Sequence, residues 1–90
     1  MLHNINPDNA HYQSEIAFYL HGVHKFVEAE PHLRKAIELE PNNPLYYWEL
    51  GECLFCQNKF EDAKVFYKKA YELDPSEKAY KEALEDLNGY

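Results

Sequence analysis

The 90-residue chain carries sixteen acidic and nine basic side chains, a formal net charge of -7, and 16% aromatic residues, eight of them Tyr and five Phe. That balance lacks the basic footprint that nucleic acid or an anionic membrane surface requires, and long-range steering favours basic ligands. The aromatic content exceeds what a disordered chain needs, so one small folded domain with one thin core is expected.

The chain opens on MLHNINPDNAHYQ, with no basic region leading into an apolar run, and no window approaches a membrane span, so a soluble chain is expected. Ile16, Ala17 and Leu20 then recur at helical spacing, with Gly22 in the connection that follows. Phe26, Ala29, Leu33, Ala36 and Ile37 share the face of a second helix, and Pro41 stands where it should stop. Pro31 interrupts that face. Beyond the first turn it removes a bond to Val27 and its ring presses on that carbonyl, a penalty of up to about 3 kcal/mol. A continuous, bent helix is expected, because Phe26 and Ala29 keep the register of Phe60 and Ala63 in the next unit. Tyr47, Leu50, Gly51 and Leu54 form the third helical series, and Gln57, Asn58 and Lys59 connect it to a fourth through Phe60, Ala63, Tyr67, Ala70 and Tyr71. After Pro75, Ser76 is the cap candidate for a fifth helix with Ala79, Tyr80, Ala83, Leu84 and Leu87 on one stripe, ending near Asn88 and Gly89. Truncating Leu84 or Leu87 should cost most in that helix.

Residues 10–43 superpose on 44–77 at a shift of 34 with eleven identities, among them Tyr12/Tyr46, Glu15/Glu49, Phe26/Phe60, Ala29/Ala63, Ala36/Ala70 and Pro41/Pro75. The same shift backwards from Pro41 reaches Pro7. Such a register across two helices and a turn indicates an internal repeat, and small residues (Ala17, Gly51, Ala29, Ala63, Ala36, Ala70) recur where helices must approach closely. With Tyr47, Leu50, Gly51, Leu54, Ala63, Tyr67, Ala70 and Pro75 at signature positions, the sequence resembles the tetratricopeptide repeat family. Trp48 lies one residue beyond the usual Trp position, and Gln13, Ala17 and Leu20 depart from the pattern in the first unit. The resemblance implies one all-α domain over 1–90, a right-handed superhelical stack of antiparallel hairpins with five helices: repeats 10–43 and 44–77 and a capping helix 78–88. It also makes Pro31 a family variation rather than a rupture.

By the same resemblance the first helix of each hairpin lines a concave face that grips extended peptides. On that face stand His11, Ser14, Phe18 and His21, then Leu45, Trp48, Glu52 and Phe55, with Ala79, Glu82 and Asp86 added by the cap. Ser14, Phe18, His21, Leu45, Trp48, Glu52, Phe55, Glu82 and Asp86 are the candidate peptide-binding residues. Aromatic anchors among carboxylates suit a peptide that carries apolar groups and a Lys or Arg. Relatives that clamp a C-terminal carboxylate use Lys, Arg and Asn on this face. Ser14, Phe18, Trp48, Glu52, Glu82 and Asp86 stand there instead, so an acidic C-terminus is disfavoured. The alternative reading is a structural or self-assembling repeat whose N-terminal edge, with Tyr12, Ile16 and Tyr19, forms homo-oligomers, or a fragment of a longer array.

Chemistry finds little support. Cys53 and Cys56 have CxxC spacing but lie in the latter half of a helix, not at the N-terminus that lowers a thiol's pKa, and no second cysteine pair completes a zinc site. His21 and His24 could approach them only as a mixed metal site, and buried cysteines beside loop or surface histidines is the preferred reading. The three glycines form no phosphate loop or nucleophile elbow, and no carboxylate pair is singled out. No enzyme activity and no cofactor are expected, and a reducing, cytoplasmic setting is inferred by elimination.

Overall fold

The computed structural model describes residues 9–88, so Pro7, expected as a repeat marker, and Gly89, expected near the last helix end, lie outside the described residues. Five helices follow one another there: α1 Ala10–Gly22, α2 Phe26–Leu39, α3 Pro44–Phe55, α4 Phe60–Leu73 and α5 Lys78–Asn88. α1 packs on α2 and α3 on α4 as two hairpins; α2 then packs on α3, and α4 on α5. None is long and apolar enough to cross a membrane.

The repeat is legible in the helix ends. Asn9 and Asn43, 34 residues apart, cap α1 and α3, their side chains accepting from the backbone N–H groups of Tyr12 and Leu45. Both hairpins turn alike as well. His24 and Asn58 each take a left-handed backbone, with φ of 64° and 62°, and each turn closes by a bond reaching back five residues, Lys25 N to Leu20 O at 2.8 Å and Lys59 N to Leu54 O at 2.9 Å. Gly22, expected in the connection, instead ends α1, and the strained position falls on a histidine. Ser76 does not cap α5. Its hydroxyl is committed to Asp74 at 2.6 Å, and Glu77, one further period from Asn43, accepts from Ala79 N.

α2 runs unbroken through Pro31, its sixth residue, which is exposed. With no packing to repay the missing hydrogen bond, Pro31→Ala is expected to stabilise the chain by about 1–3 kcal/mol. Urea unfolding checks this; an unchanged midpoint would mean that the ring is accommodated without cost.

The core runs along the stack. Ala17, Ala29, Leu33, Leu50, Cys53, Leu54, Ala63, Tyr67 and Leu87 form one buried cluster, with Ala36 and Ala70 fully buried in neighbouring ones. Leu84 is half-buried against the same cluster while Leu87 is 1% exposed, so Leu87 carries the larger part of the seal expected of the pair. Between the hairpins, the Tyr47 hydroxyl donates to Pro41 O at 2.6 Å, which ties α3 to the turn before it. Glu30 of α2 accepts from Arg34 at 2.9 Å and from Gln57 at 3.1 Å. Burial works against that carboxylate's charge, but the Gln57 and Arg34 bonds outweigh it and its pKa falls below the usual value.

Candidate functional site

α1 and α3 are separated by a half-open pocket of about 170 Å³, lined by Ala17, Phe18 and His21 from α1, Leu33 from α2, and Trp48, Glu49 and Glu52 from α3. Four residues expected from the sequence, Phe18, His21, Trp48 and Glu52, therefore meet in one place. Phe18 is 74% exposed although it is a large apolar side chain, so the fold leaves it in water. Trp48 is half-buried and its ring lies 6.1 Å from that of Tyr80, so one side of the indole is used to seat α5. His21 stands edge-on to Phe26, with ring centroids 4.9 Å apart.

Two carboxylates, three positions apart on α3, share the pocket. Glu49 accepts from the Ser14 hydroxyl at 2.8 Å, and burial pushes its pKa up against the opposing influence of that bond and of His11. Glu52 accepts from the Tyr67 hydroxyl, and burial followed by the Glu52 charge drives the phenol's pKa far above the ordinary tyrosine value. Tyr67 is thus a neutral donor at any physiological pH. Each carboxylate is oriented by one hydroxyl, and no Lys, Arg or His forms an ion pair with either among the described residues.

The other expected residues sit elsewhere. Ser14 is buried, donates its hydroxyl to Glu49 and does not line the pocket. Phe55 packs edge-on against Phe60 at 5.2 Å and does not line the pocket; Leu45 is exposed at the first turn of α3. Glu82 and Asp86 are exposed on α5, with Asp86 near enough to Tyr67 to add to the rise in its pKa. Ala17, Leu33 and above all Glu49 are the pocket residues that the helical periodicity did not place on this face. The repeat identity Glu15/Glu49 was the available signal for Glu49. At the N-terminal edge, Tyr19 is exposed while Tyr12 and Ile16 are half-buried. Cys53 is buried with its thiol donating to Phe26 O at 3.0 Å, and Cys56 is exposed. Among the described residues no group of three or more His, Cys, Asp or Glu side chains is arranged to hold a metal.

Compared with known proteins, a family model described as tetratricopeptide repeat matches residues 20–87. Among solved structures, the chain is similar to one described as the first TPR of Spaghetti (RPAP3) bound to the HSP90 peptide SRMEEVD. The sequence identity is 25% and the TM-score 0.89, with 93% of this chain and 67% of that chain covered. Among curated proteins none matches the chain.

Proposed function

Since the chain belongs to the tetratricopeptide repeat family, we propose that the face shared by α1 and α3 binds an extended peptide or partner helix, with preference for basic and apolar ligands. The observation that carries this reading is the pocket itself, where exposed Phe18 and half-exposed Trp48 stand beside Glu49 and Glu52. Aromatic side chains left in water at the rim of a concave site are the usual anchors of recognition, and carboxylates without a cation select the charge of what enters. The similar solved structure holds a peptide ending in Glu-Glu-Val-Asp. In this chain the pocket and the nearby α5 surface carry Glu49, Glu52, Glu82 and Asp86, which would repel such an end.

The test separates binding from folding. Phe18 contributes little to the core, so Phe18→Ala is expected to leave the urea midpoint unchanged within about 0.5 kcal/mol. It should also weaken capture of basic, apolar peptides on an array by at least about tenfold. Trp48→Ala should lose both capture and some stability, because the indole also supports Tyr80. Undiminished capture by Phe18→Ala would place the ligand on another face.

A further inference from the structure

The walls of the pocket specify one kind of side chain. The half-open pocket, of about 170 Å³, has room for one long side chain. Its floor is Ala17 and Leu33, which offer no hydrogen bonds to a polar stem but accept methylenes. Above the floor stand two aromatic rings, and on the α3 side two carboxylates whose Cβ atoms are neighbours at i and i+3.

Each carboxylate has a fixed donor behind it, Ser14 for Glu49 and Tyr67 for Glu52. A hydroxyl supplies one proton, so each carboxylate retains acceptor capacity toward the pocket. We propose that this pocket is the seat of an arginine of the partner, its guanidinium bridging Glu49 and Glu52 with a flat face against Phe18 and Trp48 and its stem on Ala17 and Leu33. The assignment rests on the peptide-binding reading above and names the residue that anchors it.

Arginine fits better than lysine for three reasons. Its planar fork carries five donors and serves two carboxylates at once, where an ammonium is a single point charge. It is more weakly hydrated, which matters in a half-buried site whose Glu49 is already partly desolvated. Its delocalised plane also stacks on aromatic faces. The free protein is therefore left with a half-buried carboxylate that burial disfavours and a cation would relieve, a cost accepted in the apo state and recovered on binding.

Four peptide pools, randomised except for a central arginine, lysine, citrulline or norleucine, test this on the full chain. Citrulline keeps the shape and most hydrogen bonds of arginine but carries no charge. The arginine pool should be retained at least about tenfold more strongly than the other three, and Glu49→Gln with Glu52→Gln should erase that preference. Both glutamines can still accept from Ser14 and Tyr67, and circular dichroism verifies the fold. Glu61→Gln, an exposed acid in the first turn of α4, should keep the preference. Equal retention of arginine and citrulline, or of arginine and lysine, overturns the arginine seat while leaving a peptide-binding face intact. Retention of no pool overturns both readings.

Discussion

Truncation of Leu87 to alanine is expected to destabilise the chain by about 2–5 kcal/mol, a large share of the roughly 5–13 kcal/mol that a domain of this size possesses. Leu87 is 1% exposed and belongs to the same cluster as Leu50, Leu54, Ala63 and Tyr67. It is the point at which the last helix enters the common core. The rest of α5 is held by Tyr80, which packs with Tyr47 and Ala70 and meets the Trp48 ring, and by half-buried Ala83 and Leu84. In a stack where each element contacts its neighbours, loss of the end element should precede loss of the rest. The expected result in hydrogen exchange is therefore early loss of protection across α5 in Leu87→Ala, accompanied by a lower urea midpoint. A midpoint shift worth less than about 1 kcal/mol would mean that Leu87 seals little and that α5 is dispensable.

Gly51→Leu should cost at least about 3 kcal/mol and could prevent folding, for a reason confined to one contact. A Cβ at Gly51 would lie 2.6 Å from both Cδ1 and Cε1 of Tyr67 and 3.3 Å from the Ala63 carbonyl oxygen. The two helices touch there without room for a methyl group. The first hairpin solves the same approach differently: Ala17 stands where Gly51 does and Leu33 where Tyr67 does, and all four residues are buried. A small residue faces a large ring in one hairpin, and a slightly larger one faces a smaller side chain in the other. Gly51→Ala should be destabilising although alanine is the better helix former by about 1 kcal/mol. Combining it with Tyr67→Leu, which copies the first hairpin, should cost less than the sum of the two single changes. Strict additivity in that cycle would mean that Gly51 and Tyr67 do not share a volume constraint.

The hairpin architecture was legible because its signals are local and repeated. Prolines at 41 and 75, small residues at every close approach and an apolar stripe per helix set the number, order and register of the helices. The turns were less so: a left-handed His24 gives no sign of itself beside a glycine two positions earlier, since a position forced to φ of 64° by the closing bond need not be filled by the residue that suits it best. Ser76 is a good capping residue by type, but its hydroxyl found Asp74 first. The candidate site was half legible. Phe18, His21, Trp48 and Glu52 follow from helix periodicity taken together with the family resemblance, which assigns the concave face to the first helix of each hairpin. The pairing of Ser14 with Glu49 depends on how two helices from different hairpins cross, and Phe55 is drawn to Phe60 by the turn between them. Neither is contained in the periodicity of one helix.

Trp48 is the only tryptophan in the chain, and it stands with one side of its ring toward Tyr80 of α5 and another in the pocket wall. A single indole chromophore at that junction makes the unlabelled protein its own optical sensor. If the proposed arginine binds beside Glu49 and Glu52, its arrival and the departure of the last helix would both change the surroundings of the same emitter, the first as a saturating isotherm in ligand and the second as a sigmoidal transition in denaturant. Occupancy and integrity can thus be followed in one cuvette, with Tyr80→Phe available to alter the α5 side of the signal while leaving the pocket side as it is.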